Sequence, residues 1–135
     1  MRNYLIAKGA LLGLLAVLMG AAGSHWFSHL LEDAEQRAYE TAVSYQFYHA
    51  LALLLSGIWY ENNKRLWLLI AGYLFATGTV LFSGSIYLLT LAAKMKWLGP
   101  VTPLGGLCLV VAWVMLFIEA IHHLHAPRKK QLNGR

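Results

Sequence analysis

Charge is scarce in this chain. Only 13% of its 135 residues are Asp, Glu, Lys or Arg, about half the roughly 25% of an ordinary soluble domain. Acidic residues are the scarcest of these, six against eleven basic ones. There is one cysteine, Cys108, set in an apolar run, so no intrachain disulfide can form. None of the three prolines falls in the first three apolar runs. A Pro-broken central helix of the kind that lines many transporter sites is therefore missing, as are clustered carboxylates within those runs. The formal net charge of +5 raises the question of nucleic acid. The basic residues stand at the ends of apolar runs rather than in a stripe, which suits anionic lipid headgroups and argues against a nucleic-acid partner.

Apolar residues are what the chain has in excess, at 59% with a mean hydropathy of +0.53. A single small core cannot hide that much nonpolar surface at this length, so a bilayer has to cover the rest. Four runs are long enough to span, a span needing about 20 residues at roughly 1.5 Å each. They predict helices at about 4–24, 41–60, 66–93 and 101–123, a transmembrane domain over 1–126 and a basic tail over 127–135. The expected fold is an all-α membrane protein, a four-helix transmembrane bundle.

The first run has a basic start and ends in Gly20-Ala21-Ala22-Gly23-Ser24, the outline of a secretory signal. Against cleavage, Gly9, Gly13, Ala16, Gly20 and Gly23 recur at steps of four and three, a small-residue stripe that lets another helix approach closely. The run is read as a structural helix. Of the eleven Lys and Arg residues, Arg37, Lys94 and Lys96 fall in the first and third connections and the other eight on the opposite side. The positive-inside bias then predicts both termini in the cytoplasm, an N-in/C-in bundle in a bacterial inner membrane. Between the first two runs, Glu32–Glu40 is expected as a short helix feeding the second span, and Glu61–Lys64 as a tight helical hairpin.

Polar residues cluster inside the apolar runs at four places. They are Gly20-Ala21-Ala22-Gly23-Ser24-His25, Thr41-Ala42-Val43-x-Tyr45-Gln46-x-x-His49-Ala50-Leu51, Leu81-Phe82-Ser83-Gly84-Ser85-x-Tyr87, and Gly99-Pro100-x-Thr102-Pro103-x-Gly105-Gly106 followed by Trp113. Helix arithmetic puts Tyr45 roughly 6 Å and His49 roughly 12 Å below the surface where helix two starts, and Ser83 about 25 Å along helix three. All four clusters then meet in the outer half of the membrane. On helix two, Tyr45, His49, Ala52 and Ser56 share one face with Gln46 alongside, while Tyr48, Leu51, Leu55 and Ile58 form the opposite, lipid-facing side. On helix three, Gly72, Ala76, Thr79 and Ser83 make a small, hydroxyl-bearing stripe. These faces are expected to pack together, with hydroxyls of Ser83, Ser85 and Thr102 available to Gln46 and His49.

In order and spacing the four clusters resemble the bacterial family called domain of unknown function 423, whose eukaryotic relatives are the transmembrane protein 256 proteins. The resemblance covers Leu5 to about Trp113, with Ala22 and Ser24 standing where family members commonly have Phe and Ala. It implies a small four-helix membrane protein and no activity, since the family is named for lacking an assigned one.

Each polar residue also has a plainer explanation. His49 can be a satisfied core histidine with Tyr45 and Gln46 as structural partners. His25 and His29 are read as a surface pair. Glu119, His122, His123 and His125 look metal-like, but they lie at a helix end where a glutamate snorkels and histidines face water. No metal or cofactor is expected. Gly99-Pro100-x-Thr102-Pro103 reads as a helix start with Thr102 as cap. Ser83 and Ser85 have no base beside them, so no enzyme is expected. The leading expectation is a non-enzymatic lipid- or partner-binding protein, alone, as a homo-oligomer or as a subunit of a membrane complex. Its site would comprise Tyr45, Gln46, His49, Ser83, Ser85, His25 and Thr102. The rival is an oligomeric transporter or channel for a small solute, ion or proton, with His49 as relay.

Overall fold

The computed structural model describes residues 4–92 and 95–125. Arg2, the close of the third expected span at Ala93, Lys94 and the basic tail 127–135 lie outside them. Helix α1 (Leu5–Ala22) continues into a π-helical turn, Gly23–Phe27; α2 is Asp33–Asn63, α3 Leu66–Leu91 and α4 Val101–His125, the last preceded by a 3₁₀ turn, Lys96–Leu98.

No separate short helix forms over Glu32–Glu40, because that segment is the first part of α2. Glu32 supplies the cap, its backbone N–H donating to Glu35 Oε2 at 3.1 Å in a capping box. Asp33 and Glu35 add negative charge to the first turn, where the helix dipole favours it. Nothing in the sequence after Glu40 breaks the helix, so it propagates to 31 residues, about 46 Å. That exceeds a hydrocarbon core of about 30 Å, and the charged first turns extend past it. The helix stops at Lys64, which takes a left-handed φ of 52° and donates its N–H to Tyr60 O at 2.7 Å. With Arg65 extended, Lys64 and Arg65 alone reverse the chain into α3. At the start of α4, Pro103 occupies the first turn as expected. Thr102 does not cap it: the residue is already helical and its hydroxyl is engaged with α3.

Packing centres on α2 and α3, with α1 laid along α2 and α4 along α3. The small-residue stripe of α1 faces α2. A β-carbon on Gly9 would come within 2.8 Å of Leu54 Cγ and 3.0 Å of Ala50 O, and one on Gly23 within 2.5 Å of Tyr39. Gly105 brings α4 against the backbone of α3, where a β-carbon would overlap Phe82. By contrast α1 meets α3 only lightly, chiefly where Leu5 fills the space over Gly72. The core that results joins Leu5, Ala52, Leu53, Phe75, Leu109 and Ala112.

The outward faces are greasy. Tyr48, Leu51, Leu55 and Ile58 of α2 are exposed, as are Leu11, Leu14, Val17 and Leu18 of α1 and Leu104, Leu107, Val110 and Phe117 of α4. Three segments, Leu5–Phe27, Leu66–Leu91 and Val101–His125, are long and apolar enough to cross a membrane. The expected fourth, α2, has the length, but its small and polar inward residues dilute its hydropathy. It nevertheless lies beside α1 from Gly57, against Leu5 and Ile6, to Tyr39, against Gly23. A helix that accompanies a span along its whole length crosses with it.

Candidate functional site

The inward face of α2 reads Tyr39, Ala42, Gln46, His49, Leu53, Ser56 and Tyr60, all buried, at alternating steps of three and four. Gln46, 5% exposed, ties three helices together. Its Nε2 donates to Leu12 O of α1 at 2.9 Å, and Tyr87 Oη of α3 donates to its Oε1 at 2.9 Å. Two turns nearer the α2 start, Tyr39 Oη donates to Met19 O at 2.7 Å, and the rings of Tyr39 and Tyr87 meet at 5.2 Å. Among apolar helices a buried amide or hydroxyl group is costly without a partner, and these three side chains have theirs in the protein.

His49, 7% exposed, sits in a different setting. Its Nδ1 is 2.7 Å from Tyr45 O on its own helix. A carbonyl only accepts, so this contact places a proton on Nδ1. Around it stand the rings of Tyr45 at 5.6 Å, Phe75 at 5.9 Å and Trp113 at 6.3 Å, and Tyr45 stacks on Phe82 at 4.8 Å. The ring faces α3 and α4 rather than lipid. Tyr45 itself is 41% exposed and covers the box from outside.

The hydroxyls expected to serve Gln46 and His49 do not reach them. Ser85 Oγ donates to Phe82 O at 2.9 Å and lies 2.6 Å from Thr102 Oγ1. A hydroxyl has one proton, so Thr102 donates to Ser85, pinning α4 to α3. The reason is angular: Ser85 and Tyr87, two apart on α3, point about 200° apart, one toward α4 and one toward α1 and α2. Among the described residues, the hydroxyls of Thr79 and Ser83, four apart on the stripe, are buried without a hydrogen-bond partner. His25 is exposed in the π-helical turn, away from the others. The polar residues thus share one end of the bundle but divide into a Gln46–Tyr87–Tyr39 network and a His49 aromatic box.

Tyr87 and Tyr39 were missed as site residues. Tyr87 continues the α3 stripe by one step of four from Ser83, and Tyr39 lies seven before Gln46, so both signals were in the spacing. Glu119 was misplaced. It is 4% exposed and does not snorkel; Arg65 Nε lies 3.1 Å from its Oε1. It lies on the inward face of α4 that Ala112 and Met115 begin, four residues beyond Met115, so its helical phase turns it to the α2–α3 turn where Arg65 stands.

Because α1 and α3 touch lightly, a crease runs between them, open to lipid. Near the α2–α3 turn it is a hollow of about 430 Å³ lined by Lys8, Leu11, Tyr73, Ala76 and Thr77. It continues into one of about 240 Å³ lined by Met19, Gln46, Thr79, Gly84 and Tyr87, the two sharing Leu12 and Val80. At the other end of α1 a polar recess of about 340 Å³ opens between Ser24, Gln36 and Glu40. Among the described residues no three or more His, Cys, Asp or Glu side chains are grouped to hold a metal.

The profile of a family described as "Protein of unknown function (DUF423)" matches residues 19–106. The chain is 39% identical over 113 residues to the UPF0382 membrane protein SAB0533 of Staphylococcus aureus (strain bovine RF122 / ET3-1), covering 84% of this chain and 91% of the relative. It is 36% identical over 120 residues to the UPF0382 membrane protein YwdK of Bacillus subtilis, covering 88% and 97%. To the UPF0382 inner membrane protein YgdD of Escherichia coli K12 it is 32% identical over 119 residues, covering 88% and 90%. No solved structure matches the chain. A profile match over well over half of its length, with three relatives above 30% identity along nearly their whole lengths, shows that this chain belongs to the DUF423 family of small membrane proteins.

Proposed function

We propose that this protein is a non-enzymatic, multi-pass component of a bacterial inner membrane, both termini cytoplasmic, that holds a membrane lipid or a partner's helix in the crease between α1 and α3. The single observation that carries the reading is the floor of that crease. Gln46, although buried, borders an opening that faces lipid, and the surface exposed along it is almost wholly apolar. A groove of this kind is what a ligand that is itself mostly apolar requires. Gln46, Thr79 and Tyr87 are the residues placed against the occupant. Tyr45, His49, Ser83, Ser85 and Thr102 lie behind them, and His25 stands at the exposed end. A conduit has less support, because Gln46 and Tyr87 use their polar atoms on each other and on α1.

Gly84 provides the test. A β-carbon there meets nothing within 4 Å, and the residue lines the crease. Gly84→Phe should fill it without disturbing helix contacts. After extraction in mild detergent, the variant is expected to carry several-fold less lipid or partner chain than the wild type. Equal amounts, with an unchanged melting temperature, would remove the crease from consideration.

A further inference from the structure

Lys8 is the one charge within the apolar stretch of α1. Among the described residues the sole ion pair is Arg65–Glu119, so Lys8 has no carboxylate partner there. Nor is its ammonium turned away from the protein. Lys8 Nζ lies over the Tyr73 ring, 4.4 Å from its centroid. Tyr73 is seven residues into α3, about 10 Å from its start. Lys8 itself stands in the first turn of α1, about 5 Å from its start, where a lysine ordinarily reaches along its stem to the nearer headgroups. Here the positive charge is held at the mouth of the wider hollow of the crease, whose remaining lining is apolar apart from Tyr73 and Thr77. Thr77 spends its hydroxyl on Tyr73 O and Leu74 O of its own helix, so it offers the hollow no donor.

We propose that the crease binds an anionic phospholipid from the leaflet on the side of the α2–α3 turn, with the headgroup phosphate on Lys8 and one acyl chain along Leu11, Leu12, Ala76 and Val80. This rests on the crease being a binding site and assigns its occupant. Length agrees with the chemistry. From Tyr73 to Gly84 the crease follows α3 for about 16 Å, close to the half of a roughly 30 Å hydrocarbon core that one leaflet's chains fill. The phosphate supplies the countercharge that Lys8 lacks, and Tyr73 holds the ammonium toward it. A transmembrane helix from a partner or a second copy would leave that charge unneutralised in an apolar contact. A zwitterionic lipid would set its own cation against it.

The test is native mass spectrometry of the full-length protein, titrated in detergent with phosphatidylglycerol or phosphatidylcholine of matched chains. The wild type should retain phosphatidylglycerol about fivefold more than phosphatidylcholine, the preference one basic residue near a lipid surface confers. Lys8→Gln should abolish the preference and Lys8→Arg should keep it. Ala76→Phe, which fills the hollow, should lower retention of both lipids. No preference in the wild type, or a preference that Lys8→Gln leaves intact, overturns the anionic assignment while the crease survives, provided Ala76→Phe still lowers retention. Retention untouched by both Ala76→Phe and Gly84→Phe overturns the crease reading as well. A dimer that displaces lipid and is lost in Ala76→Phe would make a second copy the occupant and overturn the assignment. Melting of each variant beside the wild type separates loss of binding from loss of fold, since Ala76 also packs against the core.

Discussion

At the residue scale, interior polar groups act through partners rather than through exposure. Gln46 and Tyr87 are the clearest pair, since each supplies what the other lacks. Such interhelical bonds average about 0.6 kcal/mol and reach about 1.7 in measured membrane proteins. A double-mutant cycle of Gln46→Leu and Tyr87→Phe should therefore return a coupling of about 0.6 to 1.7 kcal/mol in reversible unfolding, and strictly additive single effects would show the bond to be idle. Arg65 and Glu119 are unequal partners, because the carboxylate is buried and the guanidinium side chain 47% exposed. Arg65→Ala strands a charge with no access to water and should cost about 2–3 kcal/mol, below the 3–5 of a fully buried pair. Glu119→Gln leaves an arginine that can turn to solvent and should cost about 1 kcal/mol. The reverse order in thermal melts would mean the carboxylate is hydrated. Gln46 was legible from its position in an apolar run, but its partners were not. A glutamine reaches far enough to bond several neighbours, and only the rotation of α1 and α3 selects Leu12 and Tyr87.

At the element scale, small residues decide which helix faces meet. The glycine and alanine steps of α1 were readable as an interface, and α2 lies against them. Two glycines on α3 and α4 look alike in sequence and have opposite meaning in space. Gly105 abuts the backbone of Phe82, which cannot give way, whereas Gly84 faces an open crease. Gly105→Ala should force α4 off α3 and destabilise by about 1–3 kcal/mol. Gly84→Ala should stabilise by about 0.5–1 kcal/mol, because alanine fixes a helix more cheaply than glycine. Paired melts of the two variants check this, and equal effects would mean the α3–α4 contact is looser than drawn. The continuous α2 was misread for a related reason. The charged residues before Thr41 mark the edge of the apolar run, but a membrane boundary is a change of solvent and does not end a helix.

For the whole molecule, the four helices form a chain of neighbours, α1 on α2 on α3 on α4, rather than a closed square. That openness leaves α1 and α3 splayed and creates the crease. The proposed orientation rests on the eight-to-three distribution of basic residues and can be measured. With Cys108 replaced by Ala, Asn62→Cys in the last turn of α2 should react with impermeant thiol reagent only from the cytoplasmic side, and Glu35→Cys only from the other. The opposite pattern would invert the bundle and move the Lys8 end of the crease to the outer leaflet.

Composition and periodicity by themselves determined that this chain is helical and membrane-bound and that a group of polar side chains shares one end of the bundle. Burial in lipid depends on hydropathy summed along each segment, and inward faces on steps of three and four, and both are properties of local sequence. Tertiary structure alone decided that the polar end divides into two settings, that Thr102 serves Ser85 rather than a helix start, that Glu119 is paired, and that a crease opens between α1 and α3. Each of these depends on the relative rotation and spacing of helices distant in the chain, which close contacts such as Leu5 on Gly72 and Gly105 on Phe82 set.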